Sequence, residues 1–214
     1  MNKPLAVFGC SWSCPVPLNI DNEGLEVTAK QTYGYLLSQS LKAAPYIDLA
    51  LMGSSIDRTV LQLIKYVQNA KIDLSKSIAV FQLTSQDRKC FIDHNNKVVD
   101  LRSGNDDLSL IYYKYFYSPA NEVADLHKNL LSLQAICKHH GIKDYYIRGW
   151  TTMNFDLLAV DQSRIYPQSF LELFDLHGSR KQYLLNCGHP NAAGHALVAK
   201  TLHTWITSDV SKTI

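Results

Sequence analysis

Four short apolar runs, separated by longer mixed stretches, set the rhythm of this chain. Residues 5–9, 46–52, 77–83 and 144–150 are strand-sized and rich in aliphatic and aromatic side chains. Runs of that length and composition predict buried β-strands. The stretches between them carry a different period. Tyr33, Leu36, Leu37 and Leu41 recur at helical spacing, which predicts a helix opened by Thr28 and closed before Pro45. Val60, Leu61, Leu63, Ile64 and Val67 form a second apolar stripe, with Ser54 or Ser55 as its cap. Val123, Leu126, Leu130, Leu133 and Ile136 predict the inner face of a long helix over 121–140, ended by Gly141. Ala192, Ala196, Leu197, Ala199 and Leu202 mark a last helix over 190–206.

Strand and helix therefore alternate, which predicts an α/β fold with a mostly parallel sheet and helices on both faces. The polar residues that follow each strand would then meet at one edge of that sheet, where such sheets bind ligands. Residues 13–26, with Pro15, Pro17 and Gly24, read as a loop on the rim of this edge. Two stretches, around 88–118 and 151–181, lack a clear period and read as irregular inserts in a single domain spanning 1–214. Within the first, Val98-Val99 fits a small hairpin strand and 104–107 a turn. The crowded Tyr112, Tyr113, Tyr115, Phe116 and Tyr117 fit either a helix packed on the core or an aromatic wall over a pocket.

Composition narrows the function classes. Of 214 residues, 46% are hydrophobic and 19% charged, a globular balance, and the formal charge of +2 comes without any Lys/Arg run. A nucleic-acid partner is therefore not expected. No apolar run is long enough to span a bilayer, and residues 1–9 do not form a secretory signal, so no membrane association and a cytoplasmic location are expected. The five cysteines are odd in number and include no Cys-x-x-Cys pair. Free thiols are expected rather than a disulfide framework or a zinc site, and Cys137 falls on an apolar helical face. No metal and no cofactor is expected.

The candidate chemistry lies at the ends of the strands. Ser11 follows the first strand in Gly9-Cys10-Ser11-Trp12, Gly53 follows the second, and Thr84-Ser85-Gln86-Asp87 follows the third. Asn186-Cys187-Gly188-His189-Pro190 precedes the last helix. A serine hydroxyl needs a base to become a nucleophile, and His189 on its proline-held turn is the candidate base.

These four pieces, in this order, resemble the blocks of the SGNH (GDSL-like) hydrolase family. The resemblance spans nearly the whole chain, and its last block is the most specific. It implies a three-layer α/β/α sandwich with a flavodoxin-like sheet and a serine esterase working through an acyl-serine intermediate. It also implies an oxyanion hole from the backbone N–H of Ser11 and Gly53, with the side-chain amide of Gln86 in place of the family's asparagine. Trp12 and Arg88 are candidate substrate contacts, Arg88 for an anionic or polyhydroxyl group unless a salt bridge occupies it.

Two positions depart from the family. Cys10 replaces the aspartate of Gly-Asp-Ser, and Asn186 stands where the triad aspartate belongs. Asn186 can accept from the ring through its carbonyl oxygen. Alternatively a backbone carbonyl orients His189 in a Ser–His dyad, or Asp161 or Asp175 supplies the acid. His195 reads as helix surface or packing. The expected substrate is a small-molecule or carbohydrate ester with a short acyl group such as acetyl. Acyl transfer to a sugar hydroxyl, or glycan binding by a decayed triad, are the alternatives.

Overall fold

The computed structural model describes residues 3–15, 27–101, 106–150 and 159–211. In chain order the elements are β1 (Leu5–Phe8), α1 (Tyr33–Ser40), β2 (Tyr46–Asp48), α2 (Ile56–Asn69), β3 (Ile78–Leu83), β4 (Lys89–Ile92) and β5 (Val98–Leu101). They continue with α3 (Asp107–Tyr115), α4 (Pro119–His140), β6 (Lys143–Arg148), α5 (Phe170–Leu176), α6 (Arg180–Tyr183) and α7 (Ala192–Ser211). The central sheet has the order β2-β1-β3-β6, with all three pairings parallel. β4 and β5 form a separate antiparallel hairpin.

Strand alternation sorts the side chains into two cores. Leu5, Val7, Ile78, Val80, Tyr145 and Ile147 face α1, α5 and α7. Ala6, Phe8, Ala79, Phe81, Leu83 and Tyr146 face α2 and α4. On that second face Phe8, Phe81 and Tyr146 stack in a row, with ring centroids 4.7 and 5.0 Å apart. Each such side chain, fully removed from water, contributes about 1.5–3 kcal/mol. The result is the three-layer α/β/α arrangement expected from the pattern. Gln82 continues the first-face series of Ile78 and Val80, so the alternation turns a polar amide into that core.

Several boundaries differ from the sequence reading. β2 ends at Asp48 rather than at Met52. Leu49 and Leu51 still donate their N–H groups to Val7 and Gly9 at 2.8 and 3.0 Å, so the segment follows β1 without strand geometry. Thr28 caps only a 3-10 turn, Ala29–Gln31, while Thr32 stands at the N-cap of α1. Ser55, not Ser54, caps α2 by accepting from the Arg58 N–H at 3.1 Å. α4 begins at Pro119, where Ser118 caps it, and Gly141 closes it in the left-handed conformation. Val123, expected inside, is exposed, because the first turns of α4 run past the edge of the core. α7 starts at Ala192 because the Leu185 N–H donates to His189 and Asn191 to Tyr183, which holds Pro190 in a turn.

The aromatic insert is not core either. Tyr115 and Phe116 are each 64% exposed, while Tyr113 anchors α3 by donating to the Asp87 carbonyl. Residues 104 and 105 of the predicted turn, and parts of the loops at 13–26 and 151–181, lie outside the described residues. Among the described residues, no helix is long and apolar enough to cross a membrane.

Candidate active site

Ser11 stands on the turn that leaves β1. The Ser13 N–H donates to the Cys10 carbonyl at 2.9 Å and the Cys14 N–H to Ser11 at 3.3 Å, which closes the turn locally. A buried side-chain network then pins it from outside. Gln82 Oε1 accepts from the Cys10 N–H at 3.0 Å and from the Ser13 hydroxyl at 3.3 Å. Gln82 Nε2 donates to the Leu83 carbonyl at 2.9 Å. Ser13 Oγ also meets the Tyr33 hydroxyl at 3.1 Å, and the Tyr33 N–H donates to His195 Nδ1 at 3.2 Å. The chain of contacts thus runs from β3 through the serine turn to the start of α1 and the first turn of α7. Gly9 is needed here, because a Cβ would lie 2.3 Å from Ser13 Oγ and 3.0 Å from Gln82 Oε1. Gln82 was not singled out from the sequence. Its signal was a polar residue inside the otherwise apolar run 78–83.

Gly53 lies in the segment that follows β2. It is buried and has φ of +73°, a backbone conformation that side chains rarely adopt. The Leu51-to-Gly9 bond of 3.0 Å holds its segment against the end of β1. Gln86 is half-buried. Its Nε2 is buried without a hydrogen-bond partner. It lines a crevice of about 10 Å³ with Asp57, Lys89, Asp125 and Asn129. Trp12 is only 6% exposed and packs on Trp150 and Phe170, with centroids 4.5 and 6.0 Å away. This corrects its expected role at the substrate: it supports Trp150 from beneath and has no open face to offer.

His189 is half-buried on the turn before α7. Its Nδ1 lies 3.4 Å from Cys187 Sγ, and the ring is also hydrogen-bonded to the Cys187 backbone, a bond that favours its charged form. Burial first, and the Arg88 charge as well, hold its pKa below the usual 6.5. A proton on Nδ1 directed at Cys187 would leave the Nε2 lone pair free, the tautomer a general base requires. The neighbour at Nδ1 is therefore Cys187. Asn186 is exposed. Neither alternative carboxylate stands in for it. Asp161 caps the 3-10 turn Gln162–Arg164 and bonds Gln134, and Asp175 is bound by Arg180 at 2.7–3.1 Å.

His195, six residues on, is fully buried. Because Nδ1 accepts from Tyr33, the neutral ring carries its proton on Nε2. Burial, with a smaller contribution from His189, pushes its pKa from 6.5 down to about 4. Ser13, two residues after Ser11, is thus linked through Tyr33 to His195, six residues after His189. Among the described residues no direct hydrogen bond links Ser11 to His189. No group of three or more His, Cys, Asp or Glu able to hold a metal occurs among the described residues.

The architecture is that of the SGNH (GDSL-like) hydrolases. A member of the lipolytic G-D-S-L family from Veillonella parvula superposes with a TM-score of 0.51 at 13% identity, over 92% of this chain and 94% of that one. TesA gives 0.54 at 14% identity, over 95% and 98%. A GDSL-like lipase from Bacteroides thetaiotaomicron gives 0.52 at 13%, over 99% and 89%. No protein-family model and no curated protein matches the sequence.

Proposed function

We propose that this protein is a serine ester hydrolase that works through an acyl-serine intermediate. The observation that carries the reading is His189: a half-buried imidazole whose Nδ1 lies beside Cys187, an arrangement that would leave Nε2 for proton transfer. The fold shared with GDSL lipolytic proteins supports the same class.

In the proposed reaction His189 Nε2 takes the Ser11 proton as Oγ bonds to the ester carbonyl carbon. The carbonyl oxygen becomes an oxyanion, received by the N–H groups of Ser11 and Gly53. Each donor fixed in advance for that charge is worth roughly 3–4 kcal/mol. Collapse breaks the bond to the alcohol oxygen, which leaves with the proton held by His189. Water then gives a proton to Nε2, attacks the acyl carbon and releases the acid and Ser11. The Cys187 backbone carbonyl orients the imidazolium, so the pair works as a dyad. Gln86 is proposed to enter the oxyanion hole only if its unpaired amide turns from its crevice. A short acyl ester of a carbohydrate or small metabolite is the proposed substrate, in a cytoplasmic setting.

A serine-directed phosphonate tests this reading. Covalent labelling of Ser11, absent in Ser11→Ala and strongly slowed in His189→Ala, is the expected result. An intact, folded protein that takes no label between pH 6 and pH 9 would remove it. Acetyl-ester turnover measured with and without sugar acceptors separates hydrolysis from acyl transfer.

A further inference from the structure

Arg88 is the arginine that nothing in the described structure neutralises. Arg58 pairs with Asp100 at 3.0 Å, Arg148 with Glu172 at 3.2 Å, Arg164 with Asp209 at 2.9 Å and Arg180 with Asp175 at 2.7 Å. Arg88 donates from Nη1 to the Thr84 hydroxyl at 3.1 Å and lies over the Trp150 ring, 5.6 Å from its centroid. The nearby carboxylates are already engaged. Asp57 and Asp125 share Lys89, and Asp57 also accepts from Asn129 at 2.8 Å. Glu122 accepts from the Tyr117 hydroxyl at 2.7 Å, and Asp87 from Ser85. A guanidinium has five N–H donors in a planar fork, so most of the Arg88 fork is open. It is half-buried, where an unpaired charge is less well hydrated than at the surface. Its charge also reaches the candidate base, where it adds to burial in lowering the His189 pKa. Trp150, over which it lies, packs at a tilt on Trp12, the residue after Ser11.

We infer that Arg88 is the specificity-determining residue of this site and receives a carboxylate carried by the ester substrate. A guanidinium held over an indole, with donors to spare, can bind a planar oxyanion in two parallel hydrogen bonds. The charge present matches a monoanion. The next cation along the chain, Lys89, is consumed by its two aspartates and has none left for a phosphate dianion. The inference rests on the hydrolase reading for the position of the ester, and on Arg88's own surroundings for the anion.

The test uses the full chain and two matched pairs of esters. In meta-acetoxybenzoate against meta-acetoxybenzamide the charge is on the alcohol side. In para-nitrophenyl hemisuccinate against para-nitrophenyl butyrate it is on the acyl side. In one pair the wild type favours the anionic member by about tenfold to a hundredfold in kcat/KM, expressed through KM, the range of hydrogen bonds to a charged group. Arg88→Gln collapses that ratio, and Arg88→Lys, which keeps the charge without the fork, restores part of it. An unchanged ratio in Arg88→Gln, or no anionic preference in either pair, overturns the inference and leaves the hydrolase reading standing. If no ester turns over and Ser11 takes no phosphonate, the hydrolase reading fails, and calorimetric titration of Ser11→Ala with the same esters decides. Tighter binding of an anionic member, lost in the Ser11→Ala/Arg88→Gln double variant, sustains the inference, and equal binding overturns it. Tighter binding of meta-acetoxyphenyl phosphate than of the benzoate would overturn the assignment to a carboxylate.

Discussion

The turn that carries Ser11 is clamped by side chains from two distant elements, whereas the turn that carries His189 holds its ring through a neighbour two residues away. Gln82 reaches the first turn from β3 and Tyr33 from α1, and His195 of α7 accepts in turn from the Tyr33 N–H. All of these groups are buried. The second turn is half-exposed and is shaped by its own backbone, with Cys187 at Nδ1. The difference follows from what each residue must do. A nucleophile has to stay fixed relative to backbone oxyanion donors, so its turn is tied into the core. A base moves a proton between two oxygens, so its ring needs only the right tautomer and a direction.

Four experiments test that contrast, in order of expected size. Ser11→Ala lowers kcat/KM for an activated acetyl ester by about 10⁴-fold or more, as removal of a serine nucleophile does elsewhere. A variant within tenfold of the wild type would take the clamped turn out of the chemistry.

The next largest effect belongs to His195. Its folded pKa of about 4 lies below the 6.5 of an unperturbed histidine. Between those values the unfolded chain binds a proton that the folded chain refuses, so the stabilisation is full above pH 6.5 and is lost as pH falls towards 4. The loss is about 3 kcal/mol. Urea unfolding at pH 7 and pH 4.5 measures it. His195→Phe is less stable at pH 7, having lost the acceptor for the Tyr33 N–H, but its stability falls less over this interval. Equal pH dependence in both proteins would show that the buried ring does not resist protonation.

Gln82→Leu leaves the Cys10 N–H and the Ser13 hydroxyl without their shared acceptor. Stability falls by about 1–3 kcal/mol, seen as a lower urea midpoint, and kcat falls with KM little changed because the serine turn loosens. Unaltered kcat in a stable variant would mean that the clamp is structural only. Cys187→Ala has the smallest effect. The thiol contact is weak, worth roughly 1 kcal/mol or less, and the backbone carbonyl remains, so kcat falls by less than about fivefold. Asn186→Ala read beside it sharpens the comparison: a thousandfold loss there would return the orienting role to position 186.

Much of the frame was legible because periodicity reports burial. Residues 78–83 alternate between two cores, and Leu126, Leu130 and Leu133 fall on one buried face, as their spacing required. The misplaced details share a cause. Thr28 and Thr32 are equivalent as local caps, and only the docking of α1 through the Tyr33–His195 bond selects the second. Val123 has the right spacing to be buried, but α4 extends past the core there. Trp12 stood beside the serine in sequence, yet the room beneath Trp150 buried it.

The chain's own order determined the parallel sheet, the edge where its polar turns meet, and the pairing of Ser11 with His189 as candidates. Each depends on local pattern, since the period of apolar residues decides which face turns inward and a strand end decides where a turn emerges. Tertiary structure alone decided which polar groups have partners. Gln82 found the serine turn 72 residues away, His195 found Tyr33 162 residues away, and Arg88 found no carboxylate among the described residues. Hydrogen bonds and charge pairs act over a few ångströms of space, and distance along the chain does not report that space.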